Sequence, residues 1–390
     1  MRLLAGVSVG WLGISMLADG VPSLLVPHRV AATGGDASTL GLVTLVAIGL
    51  AAVTQAFAGA WSDRIGRLPV VTAGALLAVA GLGLLLLPDA LLPAAVLTLA
   101  GVSVVQAGYQ PLLPDRLAWS SRGRGAGAKG LFDVGGAFLG FALLAAILAS
   151  GEATTATVVL GAGLVGPLLL AFALLPTGRG PQQTAAPGPM HPGDRALLTR
   201  LVLARFLFLL GIYAVGRFLL LFTAQRLGLD ADAAAAQAGT ALAILTLATA
   251  AAAVPSGWLA DRIGRSAVML AGGAIGAVGV AALPLAGSLP AILVFGSLMA
   301  VGSAAFGAGS WAALADATAE RSTGRLLGIA NLGTAGAAAA AGLFGPLIDA
   351  AGFGPAFALA GVLAAAGALV GWRAGASAPR PSLRPIEVFD

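Results

Sequence analysis

The pentapeptide Asp63-Arg64-Ile65-Gly66-Arg67 recurs without change as Asp261-Arg262-Ile263-Gly264-Arg265, 198 residues later. A glycine lies four residues before each aspartate, at Gly59 and Gly257. Each copy follows the second long apolar segment of its half of the chain. An identical motif at equivalent places in two hydrophobic patterns indicates an internal repeat. The sequence therefore predicts two homologous halves, related by a shift of 198 residues.

The composition places these halves in a membrane. Of the 390 residues, 58% are apolar and only 9% are charged, which is not the composition of a soluble domain. A bilayer core about 30 Å thick takes about 20 apolar residues per helix, so the chain can cross about twelve times. The apolar runs are too long and too unalternating for barrel strands. We therefore predict an all-α integral membrane protein with twelve transmembrane helices in two pseudo-symmetric six-helix bundles.

Charges, prolines and glycines bound the predicted helices. Helices 1 to 12 are predicted at residues 3–27, 39–61, 69–88, 91–114, 126–149, 154–176, 197–223, 234–258, 267–286, 289–314, 325–348 and 354–373. The one long gap is rich in proline, glycine and glutamine, which is typical of a flexible linker. The domains predicted are an N-terminal bundle (1–176), a cytoplasmic linker (177–195), a C-terminal bundle (196–374) and a cytoplasmic tail (375–390).

The basic residues predict the orientation. Outside the membrane interior, all arginines and the single lysine fall on one side, except Arg29 and Arg226. By the positive-inside rule, both termini and the linker are cytoplasmic. The first span starts at Arg2 without a small-residue cleavage site, so we expect it to be retained. The net charge of +5 then reflects orientation in the plasma membrane, and no nucleic-acid partner is expected.

Other residue types narrow the chemistry. Cysteine is absent and His28 and His191 are the only histidines, so we expect neither a metal site nor a thiol nucleophile. A membrane enzyme would need clustered acids or nucleophiles at one depth, and none is predicted. We expect no cofactor and no enzymatic activity. We expect a monomer that binds a small-molecule substrate, and that also binds protons if transport is proton-coupled.

The repeated motif, together with its preceding glycines, resembles the loop signature of the major facilitator superfamily. The resemblance covers essentially the whole chain, although Leu68 and Ser266 stand where that family usually has a basic residue. It implies alternating access by rocking of the two halves, with helices 1, 2, 4, 5, 7, 8, 10 and 11 around a central cavity. Helices 3, 6, 9 and 12 carry no charge in their interiors, which agrees with a lipid-facing position.

The resemblance also implies a gating role for the two loops. Asp63 is expected against the cytoplasmic start of helix 11, where a carboxylate suits the positive helix end. Arg67 is expected to pair with Asp115 at the end of helix 4, as a latch that holds the cytoplasmic side closed. Simple positive-inside anchoring is the alternative, and it explains the arginines but not the acids.

Two charges at equivalent positions suggest an outer gate. Asp19 in helix 1 and Arg217 in helix 7 are related by the repeat. A charge at the bilayer centre costs about 2.5 to 3.5 kcal/mol, so each needs a partner or an aqueous cavity. We expect the two to pair across the halves when the outer side is closed and to separate when it opens. The alternatives are pairing within each half or a static bridge.

Asp133 in helix 5 is the second embedded acid, and its repeat counterpart is Asn331 in helix 11. Lys129 lies one turn earlier, so an i,i+4 ion pair can form. The alternative is a carboxylate that titrates and couples transport to protons, with Asp19 as the rival carrier.

Polar and aromatic side chains in the predicted helices could line the cavity. Arg205 in helix 7 could contact an anionic group of the substrate or Asp133. The remaining candidates are Gln106, Tyr109, Gln110, Tyr213, Trp311 and Asn331.

The predicted function is secondary transport of a small organic solute, proton-coupled or facilitative. Efflux of drug-like or metabolite compounds is favoured, partly because the predicted lining is largely apolar. Against it, helix 4 lacks the arginine and helix 5 the proline of the antiporter branch, while Leu113-Pro114-Asp115 is similar to sugar/cation symporters. A sugar uptake carrier is therefore the alternative, and it should show many more hydrogen-bonding residues in the cavity.

Overall fold

A computed structural model describes residues 2–117, 121–175, 192–318 and 323–376. Side chains are described for 2–117, 121, 123–175, 196–314, 331 and 333–374. The predicted tail from residue 377, and the predicted linker up to residue 191, lie outside the described residues.

The described residues contain twelve helices that are long and apolar enough to cross a membrane, as predicted. Helices 1 to 12 are Arg2–Ala32, Ala37–Ile65, Arg67–Leu84, Leu91–Arg116, Gly123–Leu148, Ala153–Leu174, Ala196–Leu227, Ala231–Ile263, Arg265–Leu285, Leu289–Leu314, Gly333–Ala351 and Phe353–Ala374. The helical backbone extends further at the start of helix 7, to Pro192, and of helix 11, to Thr323.

Apolar side chains cover much of the outer surface of these helices. Phe57 in helix 2 is 74% exposed and Val254 in helix 8 is 80% exposed. Helices satisfy their own backbone hydrogen bonds, so a helical bundle with such a surface suits lipid. The chain is a multi-pass membrane protein.

The repeated motif forms a sharp reversal between two helices. Helices 2 and 8 continue through Asp-Arg-Ile, several residues past the predicted ends, and stop at the glycine. Gly66 (φ +98°) and Gly264 (φ +95°) are the single residues between consecutive helices. Positive φ angles favour glycine because it has no Cβ. The glycine of the motif is thus required by the backbone.

Within each half, glycines at equivalent positions allow close helix packing. An ideal Cβ on Gly74 in helix 3 would lie only 2.7 Å from the backbone N of Val105 in helix 4. One on Gly272 in helix 9 would lie 2.9 Å from the backbone N of Phe306 in helix 10. Small residues let membrane helices approach closely. The repeat therefore extends from the loop motif into the packing of the bundles.

The two membrane faces of the bundle differ in charge. We call the end that carries Arg2, Arg64, Arg67, Arg265 and Arg373 the arginine-rich side, and the opposite end the arginine-poor side. Among the described residues, the closest contacts between the halves lie toward the arginine-poor side. They join helix 2 to helix 11, helix 5 to helix 8 and helix 1 to helix 7.

Candidate functional site

A cavity of about 420 Å³ lies between the two halves. Its lining comes from helices 1, 2, 4, 5, 7 and 11. Helices 3, 6, 9 and 12 contribute none of the described lining residues, as predicted, and helices 8 and 10 contribute none either. Twelve of the 21 lining residues have charged or hydrogen-bonding side chains: Trp11, Asp19, Gln55, Ser103, Gln106, Gln110, Lys129, Asp133, Tyr213, Arg217, Asn331 and Thr334.

The cavity has a mouth and a deep end. Gln110 and Lys129 lie near the arginine-rich ends of helices 4 and 5 and form the mouth. Asp19, Pro22 and Arg217 form the deep end, beyond which the halves are in contact. The described residues thus leave the cavity open toward the arginine-rich side and close it toward the arginine-poor side.

Seven of the predicted cavity residues line it, and three do not. Those that do are Asp19, Gln106, Gln110, Asp133, Tyr213, Arg217 and Asn331. Tyr109, Arg205 and Trp311 are not part of the lining.

Tyr109 is sealed inside the N-terminal half. Its side chain is fully buried, and its hydroxyl donates to Gly6 O (2.8 Å) and accepts from Gly10 N (3.0 Å). Gln106 and Gln110 share the cavity face of helix 4, because residues four apart lie on one side of a helix. Tyr109 points about 100° away from Gln110 at 3.6 residues per turn. It therefore holds helix 1 against helix 4.

Arg205 and Trp311 form a contact inside the C-terminal half. Arg205 is buried and its Nη1 donates to Ser310 Oγ in helix 10 (2.7 Å). Its guanidinium lies 4.2 Å from the ring centroid of Trp311. Cation–π contacts of this kind stabilise a buried guanidinium. Arg205 forms no hydrogen bond or ion pair with Asp133 and is not among the described lining residues of the cavity.

Asp133 is paired as expected. Lys129 Nζ lies 3.0 Å from Asp133 Oδ2, and the hydroxyl of Ser15 donates to the other carboxylate oxygen. The same ammonium lies 3.8 Å from the ring centroid of Trp11. Trp11, Lys129 and Asp133 all line the cavity, so this cluster forms one wall near its mouth.

The predicted ion pair between Asp19 and Arg217 is not formed, although the arginine-poor side is closed. Arg217 Nη1 instead donates to Ser23 Oγ (2.5 Å), and this bond does cross the halves. Asp19 makes no hydrogen bond or ion pair with any described residue. The partner of Arg217 is therefore one turn further along helix 1 than predicted.

A local change in helix 1 accompanies this arrangement. Residues Val21–Leu25 form a π-helical turn, in which Val26 N–H donates to Val21 O. Pro22, in this turn, has no N–H to donate, which disfavours a regular α-helix there. Single π-helical turns are frequent at functional sites. Pro22 and Pro27 were the available sequence signal for it.

Polar contacts that the sequence analysis missed close the arginine-poor side. Asp349, at the end of helix 11, accepts from Ala37 N (3.1 Å), Ser38 N (2.7 Å) and Ser38 Oγ (2.5 Å) at the start of helix 2. A carboxylate at a helix N-terminus satisfies free N–H groups and interacts well with the helix dipole. Helix 2 is therefore capped from the other half of the protein.

The same helix end also has a cap from its own half. The hydroxyl and the backbone N–H of Thr39 donate to Asp36. These hydrogen bonds, the hydroxyl first, lower the pKa of the exposed Asp36 carboxyl below its ordinary value. A further cross-half contact joins His28 Nε2 to Asp232 Oδ1 at 2.7 Å, with His28 buried.

Glycines bring helices 2 and 11 into backbone contact on this side. An ideal Cβ on Gly41 would overlap the carbonyl oxygen of Gly342, and one on Gly345 would overlap that of Ala37. No side chain separates the two backbones there. Single polar residues and glycines without a shared motif carry little signal in the sequence, which explains why this contact was missed.

On the arginine-rich side, the predicted pair forms within one half. Arg67 Nε and Nη2 donate to Asp115 Oδ2 (3.1 and 3.0 Å), and Nη1 donates to Asp63 Oδ1 (2.6 Å). These residues all belong to the N-terminal half, and the pair is intact while the cavity is open on this side. It cannot by itself hold the halves together, so the latch role is corrected to a tie within one bundle. The expected contact of Asp63 with the start of helix 11 lies outside the described residues.

In the second motif, Arg265 Nη1 donates to Ala312 O in helix 10 (3.0 Å). The Arg262 guanidinium lies 3.8 Å from the ring centroid of Trp258. Arg64 and Asp261 are exposed, and Gly59 and Gly257 have open space beside them.

Comparison with known proteins agrees with this architecture. A sequence model of the Major Facilitator Superfamily matches residues 11–236 and 201–388. The fold is similar to that of a bacterial homologue of the human lysosomal transporter Spinster, solved in an inward-facing and unoccupied conformation. That likeness has a TM-score of 0.68 with 16% identity, over 96% of this chain and 95% of the other.

The same homologue in its inward-facing and occupied conformation has a TM-score of 0.67 with 16% identity, over 96% of this chain and 94% of the other. No curated protein sequence matches the chain. The family model covers both halves, and the observed fold has the two six-helix repeats that the resemblance implied. The chain belongs to the major facilitator superfamily.

Proposed function

We propose that this protein is a secondary transporter that exports a small polar metabolite across the plasma membrane, in exchange for protons. Secondary transport by alternating access is the activity that membership in this family supports. The observation that carries the proposal is the cavity between the halves, open to one side and closed to the other by contacts that can break. A single chain supplies every described lining residue of this cavity, which supports a monomer as the transporting unit.

The orientation follows from the basic residues. We propose that the arginine-rich side faces the cytoplasm, as the positive-inside rule predicts. The cavity is then open to the cytoplasm. The linker predicted at residues 177–195 would then be cytoplasmic. Opening the other side requires the Asp349 cap, the His28 contact and the Arg217 bond to break.

The cavity lining bears on the type of solute. The expected largely apolar lining is not observed, since about half of the lining residues carry polar side chains. Four of them are amides: Gln55, Gln106, Gln110 and Asn331. A buried site with several hydrogen-bonding groups selects solutes that can satisfy them. The lining supports a polar metabolite over a lipophilic drug, and it favours the sugar-type uptake carrier as the second candidate function.

We assign proton coupling to Asp19. Its carboxylate faces the cavity and makes no hydrogen bond or ion pair with a described residue, so it is accessible for proton exchange. Asp133 also faces the cavity, but Lys129 and Ser15 already bind both of its oxygens. Asp133 therefore has a structural role in this proposal.

Solute flux in proteoliposomes tests the proposal. Sugars, amino acids, organic cations and lipophilic drugs are presented with the vesicle interior either acidic or alkaline. We expect a polar solute to move against its gradient in exchange for protons, and Asp19→Asn to abolish the dependence on the pH gradient. Asp133→Asn is expected to retain it with lower stability. Equal loss of pH dependence in both variants would remove the assignment to Asp19, and flux of sugar together with protons would favour the uptake carrier.

A further inference from the structure

Two opposite charges at the deep end of the cavity, Asp19 and Arg217, form no ion pair with each other or with another described residue. Arg217 is 6% exposed, yet the bond to Ser23 is its only hydrogen bond with a described residue. Its Nε atom is buried and has no hydrogen-bond partner. Asp19 lines the same part of the cavity and is equally without a hydrogen bond. Buried charges in proteins are normally paired, so both groups are available to a ligand.

The charges of the cavity balance one another. Lys129 and Asp133 form an ion pair near the mouth. Asp19 and Arg217 supply one negative and one positive charge at the deep end. A solute with a net charge would unbalance this site, and an uncompensated charge away from water is costly. A solute with one charge of each sign would leave the balance unchanged and supply a partner to both groups.

We propose that the deep end of the cavity binds a small zwitterion. The anionic group of the solute accepts hydrogen bonds from the Arg217 guanidinium, which suits a carboxylate because it can donate two parallel bonds. The ammonium group of the solute donates to the Asp19 carboxylate. This inference rests on the proposed transport function and names the substrate class of the same cavity.

The positions of the two residues connect binding to the transport cycle. Asp19 belongs to helix 1 of the first half and Arg217 to helix 7 of the second. A zwitterion that contacts Asp19 with one end and Arg217 with the other bridges the two halves. Its binding therefore depends on how the halves are arranged, which is the property that a carried solute needs.

Matched probes separate the contribution of each charge. Binding to the purified full-length protein is measured by calorimetry for 4-aminobutanoate, butanoate, butylamine and butanamide, which have similar size. Glycine, 3-aminopropanoate and 5-aminopentanoate vary the distance between the charges. We expect at least one amino acid of this series to bind, and each analogue that lacks a charge to bind at least about tenfold more weakly.

Two charge variants supply the second arm. Asp19→Asn should lose the preference for the amino acid over butanoate, since only the anion site remains. Arg217→Gln should lose the preference over butylamine. Glu152→Gln, which removes an exposed carboxylate outside the cavity, is the matched control and should bind like the parent protein. If Arg217→Gln does not fold, Asp19→Asn alone decides the outcome.

Several results would overturn the inference. The inference is wrong if butanoate, butylamine or butanamide binds as tightly as every amino acid of the series. It is also wrong if no amino acid binds at millimolar concentration. If a sugar is transported and the amino acids are not, the zwitterion site is wrong and the proposed transport function stands. If no solute class is transported and labelling of the cavity never changes sides, the proposed function itself fails.

Discussion

The glycine contact between helices 2 and 11 offers a direct test of how the arginine-poor side closes. In Gly342→Ala, the new Cβ would overlap the carbonyl oxygen of Gly41 and lie 2.9 Å from the backbone N of Leu45. Both obstacles are backbone atoms, which cannot rotate away, so the helices must separate. Overpacking of this kind costs about 1 to 3 kcal/mol. Because these helices belong to different halves, the cost falls on the conformation in which this side is closed.

The expected shift between the two conformations follows from the fact that the penalty acts on only one of them. A penalty of about 1 to 3 kcal/mol on one of two conformations changes their ratio by about 5- to 150-fold. Gly101→Ala is the matched control, since its Cβ would lie 2.7 Å from Ala78 Cα and from Gly74 O. Those contacts join helices 3 and 4 within one half. The control should lower stability without favouring either conformation.

The assay uses the absence of cysteine from the chain. A single reporter, Ser103→Cys in the cavity lining, is labelled with a membrane-impermeant maleimide from each side of oriented vesicles. We expect labelling from the arginine-rich side in the reporter alone, and added labelling from the arginine-poor side with Gly342→Ala. Labelling that is unchanged by Gly342→Ala, or changed equally by Gly101→Ala, would refute the reasoning.

Three further changes test other contacts. Joining Ser38→Cys to Asp349→Cys with a short, reducible thiol crosslinker should stop solute flux until reduction, because their contact spans the halves; each single cysteine is the control, and continued flux in the crosslinked protein would contradict the gate. Tyr109→Phe should lower the free energy of unfolding by about 1 to 3 kcal/mol, because two buried backbone groups lose their partner; thermal unfolding in detergent measures this, and an altered solute preference would argue against its non-cavity position. A double-mutant cycle on Arg67 and Asp115 should give a coupling of at most about 1 kcal/mol, because the pair is partly exposed; a change in the side of cavity labelling would show that the pair does more than tie one bundle.

Local sequence patterns determined the architecture of this protein. Helix length and apolar composition are set by the thickness of the bilayer, so they can be read without tertiary information. The two copies of Asp-Arg-Ile-Gly-Arg placed the repeat, and the repeat in turn identified Asp19 and Arg217 as equivalent positions. The pair formed by Lys129 and Asp133 was also predictable, because an i,i+4 contact depends on helix geometry alone.

Only the tertiary structure decided which side chains meet between helices. Tyr109 and Gln110 are adjacent in sequence, yet one is sealed in the N-terminal half and the other lines the cavity, because the rotation of helix 4 is set by its packing. Ser23 lies in the π-helical turn of helix 1 and accepts a hydrogen bond from Arg217, whereas Asp19, one turn earlier, does not. Asp349 contacts Ser38 across 311 residues of sequence. Whether such a contact forms depends on the positions of two packed halves to within a few tenths of an ångström. The periodicity of a single helix carries no information about these positions.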